Sequence, residues 1–180
     1  MKCALLATMT LSLALGAPLL AQASQEPAPQ SDTKAPDKAF LNYAAEDNQA
    51  EIAACLLAEK KAGSPAVKAF ARLMVDDHVQ IESRLAALSN SLNFDLPDGN
   101  GDEGQQTISK LEKLRGPEFE LEFMTQQTKD HGHDLEKFGR EQSSTKSELL
   151  HQYVSETYPI LQQHLALAKA VQASIATDAK

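Results

Sequence analysis

The sequence predicts an all-α protein: a four-helix bundle with a long connection between its second and third helices. Three observations predict it. Apolar residues recur at alternating three- and four-residue steps over four long segments. Helix stop and start signals separate those segments. No alternation of apolar and polar residues of the kind a strand needs is sustained anywhere.

The N-terminus reads as an export signal. Met1-Lys2 is a short positive start, residues 4–20 are almost all apolar or small, and Ala21-Gln22-Ala23 is an A-x-A cleavage site with Ser24 as the expected mature N-terminus. The apolar run is broken by Thr, Ser, Gly and Pro and is short for a spanning helix. A lipoprotein needs a Cys just after the cleavage point, whereas Cys3 lies too early and Cys55 too late. The expected location is therefore the periplasm or the exterior. Cleavage after residue 23 takes one of the 17 basic residues and none of the 25 acidic ones, leaving 16 against 25 and a net charge of −9. Such an acidic protein is a poor partner for nucleic acid or an anionic membrane surface. Cys55 becomes the only cysteine, so no internal disulfide can form and stability must come from a packed core.

Residues 24–36, SQEPAPQSDTKAP, hold three prolines and no aromatic or large aliphatic residue, which predicts a flexible tether. The bundle domain is expected over 37–176. Its first helix, about 37–62, carries Leu41, Ala45, Asn48, Ile52 and Cys55 on one face, and Gly63 is a plausible stop. Ser64-Pro65 supplies an N-cap and a proline at the first helical position, which predicts a tight hairpin into a second helix at about 65–91. There Val67, Ala71, Met74, His78, Ile81, Leu85 and Leu88 form a seam without a miss. The stretch LPDGNGDEG starts a long connection, within which Ile108, Leu111 and Leu114 suggest a short helix. Gly116-Pro117-Glu118 opens the third long helix, to about 140, with Leu121, Met124, Thr128, His131, Leu135 and Phe138 as its expected seam. Thr145-Lys146-Ser147-Glu148 matches a capping box and opens the fourth, to about 176, with Leu150, Val154, Thr157, Leu161, His164, Ala168, Val171 and Ile175 facing inward. Pro159 lies inside this last helix and is expected to kink it.

Two stretches echo one another: FARLMVDDH at 70–78 and FMTQQTKDH at 123–131 each place a Phe eight residues before a His and an Asp just before it. His78, His131 and His164 fall on core faces near the middle of their helices. Glu51 falls at a similar height in the first helix, so each helix offers one polar residue to a common layer. Such a layer is costly in a core unless its members satisfy one another or bind something. Three imidazoles and a carboxylate suit one transition-metal ion such as zinc, copper or iron; calcium or magnesium would want more oxygen ligands. Asp77 and Asp130 point away from the adjacent His and could instead accept an imidazole N–H from a neighbouring helix. His133 and His151 are expected off the core faces, and Cys55 inside as a small packing residue. The sequence contains no nucleophile elbow, phosphate loop or paired-cysteine motif.

The run AEDNQAEIAACLLAEKKAGSPAVKAFARLMVDDHVQIESRLAAL, with FELEFMTQQTKDHGHDLEKF and YPILQQHLALA, resembles the bacterial domain-of-unknown-function 4142 family over roughly 38–172. Glu51, VDDH at 75–78, DH at 130–131 and P-x-L-x-x-H at 159–164 anchor the resemblance. It implies a secreted or periplasmic ferritin-like bundle, often labelled an outer-membrane protein, and it implies no activity. The chain shows neither barrel strands nor a lipobox. It also departs from the Glu-x-x-His pattern of ferritin-like di-iron proteins, because Val75, Thr128 and Leu161 stand three residues before the histidines. The resulting expectation is a non-catalytic binding protein that holds one metal ion. The two alternatives are a metal-dependent redox or peroxide-handling enzyme and an interaction module whose polar layer only fixes helix register.

Overall fold

A computed structural model describes residues 34–178. The predicted signal peptide and nearly all of the tether lie outside the described residues. Five helices follow one another: α1 (Ala35–Lys61), α2 (Pro65–Leu92), α3 (Gly101–Lys113), α4 (Gly116–Ser144) and α5 (Glu148–Asp178). No strand occurs among the described residues. The four long helices have 27 to 31 residues each. Each of them packs on two others: α1 and α5 both pack on α2 and on α4. The short α3 lies mainly against α1.

Local chemistry sets the boundaries. α1 starts two residues earlier than expected, with Pro36 accepted in its first turn because the missing N–H would have no partner there. It does not end on Gly63. Ala62 already takes extended backbone, and the N–H groups of Gly63 and Ser64 both donate to Oε1 of Glu120, at 2.6 and 2.7 Å. A buried carboxylate from α4 thus ties down the α1–α2 turn. Ser64 caps α2 as the sequence predicts, its hydroxyl accepting from Val67 N–H at 3.4 Å. The cap of α5 is Ser147 rather than Thr145. α4 runs on to Ser144, so only three residues remain to turn, and Ser147 Oγ is the hydroxyl placed to accept from Leu150 N–H, at 3.3 Å. Thr145 accepts from Ser147 N–H inside the turn, at 3.1 Å. α5 stays helical through Pro159.

The anticipated short helix in the connection is α3, with Ile108 and Leu111 buried. Gly104 permits its approach to α1. A Cβ at that position would lie 2.5 Å from Cβ of Ala50, a separation that real side chains do not reach.

The α2 seam is buried at every predicted position, and the α5 seam at every position but the half-buried Ile175. On α4 the inward face is rotated from the expected one. Leu121 is half exposed, while Phe119, Phe123, Met124, Gln127, His131, Asp134, Phe138 and Glu141 are buried. Gln127 and Asp134 hid this face from a reading based on apolar spacing.

The apolar core falls into two clusters. One holds Cys55, Phe70, Met74, Phe119, Phe123, Met124 and Ala168. The other holds Leu41, Ile81, Leu85, Phe138, Leu150, Val154 and Leu161. Between them along each helix lie Asn48 and Glu51, His78, Gln127 and His131, and His164. The polar layer therefore separates the two apolar halves.

Leu85 is 1 % exposed in the second cluster. Leu85→Ala is expected to lower stability by about 2–5 kcal/mol in urea unfolding followed by circular dichroism, since a lost buried leucine leaves a cavity. A change near zero would mean that the seam is misplaced.

Candidate metal centre

His78, His131 and His164 come from α2, α4 and α5, and all three are at least 97 % buried, with exposures of 3, 0 and 2 %. Their ring centroids are 5.3–5.7 Å apart. One ring nitrogen from each lies within 4.8 Å of those of the other two.

The remaining hydrogen bonds define the tautomers. Asn48 Nδ2 donates to the backbone carbonyl of His78 at 3.1 Å, which orients the amide and leaves its Oδ1 as an acceptor. His78 Nδ1 must therefore carry the proton that it gives to that oxygen, at 2.9 Å. His131 Nδ1 faces the carbonyl of Gln127, which can only accept, at 3.0 Å. His164 Nε2 faces Oδ2 of Asp77 at 3.0 Å. In each ring one N–H points outward to an acceptor. The nitrogens left over, Nε2 of His78, Nε2 of His131 and Nδ1 of His164, are buried and have no hydrogen-bond partner.

Burial holds all three imidazoles neutral. His78 is pushed well below the ordinary histidine value by desolvation and then by the neighbouring histidines. His131 is lowered to about 3 by the same causes, against a small opposing effect of its bond to Gln127. His164 is lowered by burial, and Asp77 works in the opposite direction. Neutral imidazoles whose second N–H is held by an acceptor are the form in which histidine binds metals. An ion with bonds of 2.0–2.1 Å holds its nitrogens about 3.4 Å apart. Nitrogens up to 4.8 Å apart, one from each ring, would need to close in by at most about 1.4 Å to meet that spacing.

The structure brings together three of the four residues that the sequence nominated. Glu51 stands outside the set. It is buried on α1, but its Oε2 accepts from Gln127 Nε2 at 2.5 Å, and Asn48 is the α1 residue that meets the triad. Asp77 takes the supporting role anticipated for it. Asp130 does not: it binds Gln126 at 2.9 Å on its own helix. His133 and His151 are exposed, as expected. Cys55 is fully buried in the apolar core.

Glu51 belongs to a second assembly that the sequence did not reveal. A cleft of about 120 Å³ opens between α1, α3 and α4, lined among others by Glu46, Asp47, Glu51, Asp102 and Asp130. Behind it sits Asp134, 1 % exposed, which accepts a short hydrogen bond from the Tyr43 hydroxyl. Burial, then the charges of Asp134 and Asp130, push the Asp47 carboxyl up, and burial with the charges of Glu51 and Asp130 raises Asp134 to about 7 against its hydrogen bonds to Tyr43 and Asp47. Glu51 is raised by burial and by Asp47 and Asp130. Both shifts disfavour ionising Asp47 and Asp134 together. The one signal that could have found Asp134 is its place one turn after His131 on the inner face.

The fold and site define an all-helical protein with a buried centre of three histidines. The chain belongs to the family described as a domain of unknown function (DUF4142), whose sequence profile matches residues 22–171. No curated protein and no solved structure matches it.

The acid pair and the triad bias stability in opposite directions. Asp134 has a folded value of about 7 against an ordinary 3.8, so its contribution is fully present below about pH 4 and is lost as pH rises through 7. At about 1.4 kcal/mol per pH unit the whole effect is at most about 4 kcal/mol. The histidines, with lowered folded values, contribute stability above about pH 6.5 that is lost as pH falls. Asp134→Asn keeps an acceptor for Tyr43 and removes the ionisation. Its stability relative to the parent is expected to rise by a few kcal/mol between pH 4 and 7 in denaturant titrations. A difference that does not change with pH would show that Asp134 is ionised in the folded protein.

Proposed function

We propose that this chain is an exported protein with a ferritin-like four-helix arrangement that binds a single transition-metal ion, zinc, copper or iron, through His78, His131 and His164. One observation carries the reading: each ring gives one N–H to an acceptor outside the triad and keeps its other nitrogen buried and unpartnered, while one nitrogen from each ring lies within 4.8 Å of the other two. The pairing of α1–α2 and α4–α5 hairpins, joined by the long connection that holds α3, supports the bundle topology. The charged start, apolar run and A-x-A site at 1–23 support export, and no helix among the described residues is long and apolar enough to cross a membrane. The net negative charge of the chain argues against nucleic acid and anionic lipid as partners. A ferritin-like di-iron centre is disfavoured by the donor set, which has three imidazoles and no bridging carboxylate.

A protein that binds the ion only when folded melts higher in its presence, by about 4 kcal/mol of added stability at a thousandfold excess over Kd. Elemental analysis after dialysis against zinc or copper is expected to give one ion per chain and a matching rise in melting temperature. His131→Ala is expected to abolish most of the uptake, whereas His133→Ala and His151→Ala leave it unchanged. Uptake that survives His131→Ala would place the ion elsewhere.

A further inference from the structure

Next to the triad, on the side of Leu161 and Ile81, lies a void of about 10 Å³. Its polar wall is made by Asp47, Asn48, His78, Asp134, Tyr153 and Thr157, and the rest is apolar. Four of the residues that line the void each carry a buried polar atom without a hydrogen-bond partner: Tyr153 OH, Thr157 Oγ1, Asp134 Oδ2 and His78 Nε2. Asp134 Oδ2 has a carboxyl neighbour in Asp47, and the Tyr153 and Thr157 hydroxyls have only each other, short of good hydrogen-bond geometry. Orphaned hydroxyls are costly in a core, at about 1–3 kcal/mol each. Here two of them, with a carboxyl and a metal-site imidazole, surround one small space.

We infer that this void receives the exogenous ligand of the ion held by the triad: a single water or hydroxide, bound by Tyr153, Thr157 and Asp134. This rests on the metal-binding reading. Size selects the ligand, because about 10 Å³ is the room that one water requires and the apolar remainder of the wall offers nothing to a larger anion. Hydrogen-bonding capacity agrees, since a buried water needs two to four polar partners and the lining offers Tyr153, Thr157 and Asp134. Coordination agrees as well. Three histidines leave one position open on a four-coordinate ion, and Glu51, the sequence's nominee for that position, is tied to Gln127. His78 is the triad member that faces the void. The open position thereby lies on the α5 hydroxyl side, one layer from the Asp47–Asp134 pair that reaches the cleft.

The test uses the purified protein with one equivalent of copper(II), read by pulsed electron paramagnetic resonance in D₂O. The expected spectrum has three imidazole nitrogens and one exchangeable deuterated ligand. Tyr153→Phe and Thr157→Val together remove two hydroxyls that have only each other, so the metal-free double variant is expected to melt no lower than the parent. Combined, they are expected to keep one copper and its nitrogen couplings, to weaken copper binding roughly tenfold, and to weaken or lose the deuterium signal. Copper bound by three nitrogens with no exchangeable ligand overturns this inference and leaves the metal-binding reading standing. An unchanged affinity and deuterium signal in the double variant overturns it too, since the ligand then lies elsewhere. If the parent takes up no copper at the histidines, both readings fall.

Discussion

The polar layer in the middle of the core is the constraint on which this structure depends. Three imidazoles sit between two apolar clusters, and nearly every unusual feature nearby serves to hold them. Asn48 spends both ends of its amide on His78, one on the ring and one on the backbone. His131 turns its N–H to the carbonyl one helical turn earlier, an acceptor that an uninterrupted helix has already committed once and whose second lone pair is still available. His164 reaches past its own helix to Asp77, which sits half in solvent at the edge of α2. The two apolar clusters then act as clamps above and below. Phe123, Met74 and Met124 close one side, and Ile81, Phe138 and Leu161 close the other.

The same layer continues sideways into the acidic cleft. Gln127 joins them: its backbone carbonyl holds His131, and its side chain holds Glu51. α3 forms the third wall of the cleft and can come close because Gly104 lies on Ala50. The long connection, which a plain bundle would not need, therefore covers the open flank of α1 and α4. Burial and the neighbouring carboxylates favour the protonated form of Asp47 and Asp134, which lessens the negative charge set beside the neutral imidazoles.

Much of this was legible in the sequence. The seams of α2 and α5 showed both the burial of His78 and His164 and their height, because a continuous run of apolar neighbours leaves only one face to a residue between them. The turn at Ser64-Pro65 was equally readable. The rest was hidden for physical reasons. On α4 the buried face contains Gln127, Asp134 and Glu141, and a pattern that scores polar residues as solvent-facing turns that helix by about one position. On α1 the choice between Asn48 and Glu51 is a matter of one helical turn. The preference for a carboxylate as ligand favoured Glu51, whereas the geometry presents the amide. Tyr43, Asp47 and Asp134 are too far apart in sequence and too ordinary in spacing to announce an assembly. Only packing α1 on α4 brings them together.

Whether such a layer fixes register or holds an ion depends on which nitrogens remain without partners. A register device works when its polar groups satisfy one another, donor against acceptor. Here that is not available: all three donors are used outside the triad and all three acceptors are left buried without a partner. One proton on the triad would convert an acceptor into a donor, but burial holds His78, His131 and His164 below their ordinary value and opposes this. A water placed among them donates two hydrogens, one fewer than the three lone pairs. A cation satisfies all three at once. The surrounding bonds to Asn48, Gln127 and Asp77 already hold each ring in the tautomer that a cation requires, and Asp77 supplies a negative charge close to where a positive one would sit.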